Sequence, residues 1–218
     1  MIYLYAIAEE LDGLPEVRGV DGAPLARRSV EGLDLVVSEH GSAELDASQE
    51  AVLAHARVVE GLVERSAALL PARFGRGFRD EEALREAIAG RVGSLREALA
   101  QVSGCVEIGV RVVAPEPAPP PAESGRAYME ARLARNDEAE RLAAAALAAQ
   151  ANPPQPPEVS GRTDEMVLNG AYLVAAADRA LADAVAELEA TYGPRGVSYE
   201  LTGPWPPYNF VPRDLAET

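Results

Sequence analysis

DEEALREAIAGRVGSLREALAQVSGCVEIGVRVV, residues 80–113, changes its hydrophobic period part-way along. Leu84, Ile88, Val92, Leu95, Leu99 and Val102 recur at intervals of four, four, three, four and three, which places them on one stripe of an amphipathic helix. Asp80 stands at the N-cap position, and Glu81 and Glu82 fall in the first turn, where carboxylates meet the positive end of the helix dipole. Gly104 ends the helix. From Cys105 the period becomes two. Val106, Ile108, Val110 and Val112 face one way, and Glu107, Gly109 and Arg111 face the other, as in an edge or half-covered strand. This helix and strand close an order of elements, read below, that gives the α+β class.

Upstream, LLPARFG (residues 69–75) reads as a short strand interrupted by Pro71, which suits an edge or a bulge. Gly75 and Gly77 then allow a tight turn holding Arg73, Phe74, Arg76 and Phe78. One reading is a loop with a single buried Phe. The other is a recognition loop, because Arg and aromatic residues anchor protein interfaces. The G-x-G here lacks the G-K continuation of a phosphate loop.

A helix is expected from Asp46, paired with Gln49 as a capping box, with Val52, Ala56, Val59, Leu62 and Val63 on its apolar stripe. His55 sits on or beside that stripe, where a packing role outweighs a catalytic one. Residues 2–8, IYLYAIA, are continuously apolar and read as a strand covered on both faces; LDLVVS (residues 33–38) is a second strand. The order strand, strand, helix, strand, helix, strand makes residues 1–114 a modified ferredoxin-like α+β sandwich.

Downstream, residues 115–123 are a proline-rich linker that stays extended. Residues 124–218 then form a smaller α+β domain: a long helix to about residue 151, a second proline-rich break over residues 152–160, and a strand at residues 167–175. Leu181, Val185, Leu188 and Tyr192 mark a helix ended by Gly193 and Pro194. Residues 197–201 form the closing strand. It delivers LTGPWPPYNFV, residues 201–211, which holds the only Trp of the chain. Pro204, Pro206 and Pro207 fix φ and remove donors, so Trp205, Tyr208 and Phe210 are carried on a rigid turn, with a central strand disfavoured past Gly203. That turn reads both as a plug over the core and as a preorganised aromatic contact surface; the two readings are compatible.

The 218 residues carry a net charge of −15, and all 20 basic residues are Arg. Such an acidic chain repels phosphate, so nucleic acid and anionic membranes are poor partners. Arg still offers a planar fork to carboxylates. The single Cys105 fits a reducing cytoplasm. The opening residues have no basic segment before their apolar run, which argues against a signal peptide, and no run is long enough to span a bilayer. The catalytic inventory is thin: His40, His55 and Cys105, with no metal, nucleophile-elbow or P-loop motif. No enzyme, metal or cofactor is expected. A Cys105–His55 hydrolase would require those two residues to be neighbours.

The segments IYLYAI, LLPARFG, G-x-x-Y-M-x-x-R (residues 125–132) and LTGPWPPYNFV, in that order, resemble the gas vesicle protein F/L family across nearly the whole chain. The resemblance implies an accessory or minor structural protein, not a catalyst, needed to form gas-filled buoyancy organelles in the prokaryotic cytoplasm. It implies two α+β domains, the first a modified ferredoxin-like fold. Its implied partners are the hydrophobic shell protein, gas vesicle protein A, and other accessory proteins. The matching positions are Leu70, Pro71, Arg73, Phe74 and Gly75, and later Gly203, Pro204, Trp205, Pro206, Pro207, Tyr208 and Phe210. The candidate protein contacts are Arg73, Phe74, Arg76, Phe78, Trp205, Tyr208 and Phe210. A different expectation, a small-molecule regulatory module built on paired ferredoxin-like domains, predicts ligand-dependent melting instead.

Overall fold

A computed structural model describes residues 1–41, 46–113, 125–126, 129, 158–159 and 166–212. Nearly all of the long helix, the proline-rich segment at residues 115–123 and nearly all of the break at residues 152–160 lie outside the described residues. Contacts divide the chain into two units, Met1–Val106 with Trp205–Thr218, and Glu107–Pro204.

In the first unit, β1 (Ile2–Ala8) is the centre of the sheet. All seven of its residues are buried, as a strand covered on both faces requires. It pairs antiparallel with β3 (Leu33–Glu39) along its length. On its other side its C-terminal half meets β4 (Leu69–Pro71), and its first residues meet β5 (Gly77–Phe78). β2 (Ala26–Val30) pairs antiparallel with β3 and completes the order β2-β3-β1-β4. Pro71 therefore lies on an edge strand, where its missing N–H does no harm. The β2–β3 hairpin was not legible as such: its signal is Glu31-Gly32, both with positive φ, at 50° and 82°.

The register of β1 against β3 shifts between Leu4 and Ala6, so Tyr5 is the extra residue of a bulge. Tyr3 and Tyr5, and then Ala6 and Ala8, consequently join one core cluster with α1 (Gln49–Val63). A strict alternation would have sent Ala6 and Ala8 to the opposite face.

The α1 helix begins later than expected. Ser48, not Asp46, is its N-cap, and Ser48 Oγ accepts from Ala51 N–H at 3.2 Å. Its buried stripe is Ala51, His55, Val58, Val59 and Leu62, while Val52 is exposed. The period was right and the phase was one residue off, because His55 belongs to the stripe.

Asp80 does cap α2 (Glu81–Ala89), taking Ala83 N–H at 2.8 Å. That bond, ahead of Arg79 beside it, holds its carboxyl below the usual range. The single expected helix is two, however: α2 stops at Gly90, and α3 (Val92–Val102) restarts after Arg91, whose φ of −131° is not helical. Leu84, Ile88, Leu95, Leu99 and Val102 are all buried, so the apolar stripe continues through the break.

The second unit is built on a sheet of order β7-β8-β6-β9, with β6 (Cys105–Val113), β7 (Glu158–Val159), β8 (Met166–Ala175) and β9 (Ser198–Trp205). The neighbours Val113–Ser198, Arg111–Glu200 and Gly109–Thr202 run in opposite directions, so β6 and β9 are antiparallel. α4 (Ala180–Tyr192) places Leu181 and Val185 against Val110, Val112, Leu168 and Tyr172.

The strand expected at residues 105–113 joins the second sheet, where it lies between β8 and β9 and is not an edge. Contacts group its residues from Glu107 onward with that sheet. The closing strand, expected over residues 197–201, runs from Ser198 to Trp205. Local alternation identifies a strand but says nothing of which sheet receives it. Pro204 is tolerated because β9 is an edge.

Candidate interaction site

The core of the first unit holds a polar and aromatic network assembled from three distant stretches of sequence. β1 supplies Tyr3 and Tyr5, α1 supplies His55, and the turn after β4 supplies Ala72 to Gly75. Tyr3 Oη lies 2.9 Å from His55 Nδ1, and Gly75 N–H donates to the same hydroxyl at 3.1 Å. His55 Nε2 lies 3.0 Å from Ala72 O. A carbonyl only accepts, so Nε2 carries the proton, Nδ1 accepts, and the Tyr3 hydroxyl donates to it. Burial holds the His55 pKa down to about 4, opposed only in part by the Ala72 bond, so the ring is neutral at pH 7. Burial also raises the Tyr3 pKa, which keeps its hydroxyl a donor.

Aromatic packing surrounds the imidazole. Tyr5 stacks on it at 5.4 Å between ring centroids, and Tyr3 and Phe74 meet it edge-on at 5.7 and 5.9 Å. Tyr5 Oη accepts from Val20 N–H at 2.8 Å and shares a hydrogen bond with Ser38 Oγ at 2.9 Å. Ser38 in turn meets His40 Nε2 at 2.8 Å. Each polar atom named here has a partner, as a buried network needs if it is to stabilise.

This network fixes the turn at residues 72–75 at both ends, with Arg73 exposed between them. Phe74 is half-buried against the cluster. Further on, Leu4 N–H donates to Arg76 O at 2.9 Å, and the Arg76 guanidinium lies 5.1 Å from the centroid of the Phe78 ring. Phe78 itself is buried.

The C-terminal signature divides in the same way. Pro206, Pro207 and Phe210 are buried, and Tyr208 is half-buried against the cluster that holds Tyr3 and Tyr5. Val211 lines a small gap with Leu4, Ile7, Leu70, Pro71 and Ala72. Trp205 is 47% exposed, a large area for the one indole of the chain.

Of the seven candidate contacts, Phe78 and Phe210 are therefore core. Phe74, Arg76 and Tyr208 are half-buried, and Arg73 and Trp205 are exposed. Tyr3, Tyr5 and Ser38 were not singled out in the sequence. Tyrosines in a wholly apolar strand were the available signal, since a buried phenol needs a partner.

Catalytic pairing of Cys105 with His55 has no geometry behind it. Both His55 nitrogens are engaged with Tyr3 and Ala72, and the Cys105 thiol donates to Ser103 O at 3.5 Å. Burial raises the pKa of that thiol, away from the nucleophilic thiolate. Among the described residues no group of three His, Cys, Asp or Glu side chains is gathered for a metal, and no helix is long and apolar enough to cross a membrane.

The family model for the gas vesicle synthesis protein GvpL/GvpF matches residues 1–212. The chain belongs to this family. It is 32% identical over 215 residues to gas vesicle protein F2 of Halobacterium salinarum, covering 96% of this chain and 91% of that one. It is also 32% identical over 250 residues to gas vesicle protein L of a Streptomyces species, covering 96% and 92%. In fold it resembles the crystal structure of GvpF from an Anabaena species, with a TM-score of 0.83 at 20% identity over 97% of this chain and 95% of that one. The expected α+β class is therefore the fold of the GvpL/GvpF family, and gas vesicle formation is its setting.

Proposed function

We propose that this chain is a non-catalytic accessory or minor structural protein of gas vesicle formation. In this reading it works in the cytoplasm and at the vesicle, and it binds the hydrophobic shell subunit, gas vesicle protein A, and other accessory proteins. The observation that carries the reading is Trp205. It stays 47% exposed although the residues that follow it, Pro206, Pro207 and Phe210, are buried and hold it in place. A rigid exposed indole loses little entropy on binding, and such residues dominate interface energetics. The net charge of −15 would keep a complex with an apolar subunit dispersed.

Co-expression with the shell subunit tests this. Soluble, stoichiometric co-purification is expected, and a folded chain that captures none of the subunit would reject the reading. A second reading, a small-molecule regulatory module, has one observation behind it. A cleft of about 490 Å³ lies beside the start of α1, with Arg18, Asp21, Ser48 and Arg57 in its lining. It predicts a rise in melting temperature with a metabolite, which a pure assembly protein would not show.

A further inference from the structure

The segment at residues 73–79 carries three Arg and no acidic residue, within a chain of net charge −15. Arg76 and Arg79 line an open depression together with Arg91, which stands at the α2–α3 break. Ala83 and Ala87 of α2 contribute small side chains to the lining, and Glu86 is its one carboxylate. Asp80, paired with Arg79 at 3.0 Å, offsets a second charge, so three Arg against two carboxylates leave the depression one net positive charge on an otherwise acidic molecule.

The arginines are also held in place. Arg76 lies over the Phe78 ring at 5.1 Å, and its backbone is tied to Leu4 of β1. Arg91 Nη1 reaches Ala87 O at 3.4 Å, and Arg79 Nε meets Asp80 Oδ2 at 3.0 Å.

We infer that this depression docks a carboxylate-rich segment of a partner polypeptide. Charge complementarity selects the occupant: guanidinium forks match carboxylates, whereas the rest of this surface repels them. Small side chains in the lining let an extended segment approach the arginines closely. The inference rests on the reading that the chain binds other proteins and adds the chemistry of one contact, separate from the apolar contact at Trp205.

The test uses the full chain and a fluorescent deca-glutamate peptide, with binding followed by polarisation at low salt. Saturable binding that weakens as salt rises is expected. Arg79→Gln with Arg91→Gln should weaken it about tenfold, since two charged contacts are lost, while Arg111→Gln on β6 should leave it unchanged. Arg76→Gln is measured separately, with its melting temperature, because its side chain also packs on Phe78. No binding at low salt, or equal binding by the Arg79/Arg91 variant, overturns the inference. So does preferential binding of a single-stranded oligonucleotide, or salt-sensitive dimerisation of the chain that excludes the peptide. Peptide binding without capture of the shell subunit would leave this site standing and reject the proposed partner instead.

Discussion

Two buried tyrosines show how differently the units are built. In the first unit, Tyr3 is wholly buried, and its hydroxyl takes Gly75 N–H and gives its own proton to His55. In the second, Tyr172 is 5% exposed, and its hydroxyl is buried with no hydrogen-bond partner among the described residues. Burial raises both pKa values, that of Tyr172 to about 12. The first phenol is a structural joint that ties strand, helix and turn together. The second is an apolar filler that carries the cost of an unpaired hydroxyl. Specific geometry is thus concentrated in the first unit, around the turn that presents Arg73, while the second sheet is held mainly by apolar packing around Val110, Val112, Leu168 and Leu181.

The contrast can be broken by measurement. The largest effect expected is a pH dependence. The folded pKa of His55, about 4, lies below the ordinary value of 6.5, so the unfolded chain binds more protons between these values. Stability should therefore fall as pH drops from about 6.5 to about 4, by up to about 3 kcal/mol from this one group. Urea unfolding at pH 7 and pH 4.5 reads it, and His55→Gln should flatten the slope; an unchanged slope would remove the buried imidazole from the account. Next, Tyr3→Phe should cost about 1–3 kcal/mol, because Gly75 N–H and His55 Nδ1 each lose a partner. Ser48→Ala, which uncaps α1, should cost about 1 kcal/mol by the same assay. Tyr172→Phe should change stability by no more than about 0.5 kcal/mol, or raise it, since it removes an unpaired polar atom without altering shape. A cost for Tyr172→Phe equal to that of Tyr3→Phe would erase the distinction between the units.

Much of this was legible locally. The burial of β1, the Asp80 cap, the stripe from Leu84 to Val102 and the edge position of Pro71 all follow from period and residue type. What was not legible required knowledge of partners. The Tyr5 bulge depends on the register with β3, which no single strand records. The break at Gly90–Arg91 interrupts a stripe whose spacing looks continuous, so periodicity could not show it. Cys105–Val113 reads as a strand in either sheet, and its assignment to the second is decided by pairing with β8 and β9. At the candidate site, the motif residues were found but not sorted. Phe78 and Phe210 face inward, and Trp205 faces out, because buried prolines and a network anchored on His55 fix the backbone around them.

The proposed function turns on whether the exposed indole is a contact or an ornament of the fold. The most direct measurement is capture of the co-expressed shell subunit by the wild-type chain, by Trp205→Ala and by Leu53→Ala. Leu53 is a comparably exposed apolar residue, 46% against 47%, on α1. With all three proteins folded, the account predicts that Trp205→Ala loses most of the captured subunit and Leu53→Ala keeps it. Equal capture by Trp205→Ala and the wild type would contradict it and place the contact elsewhere on the molecule.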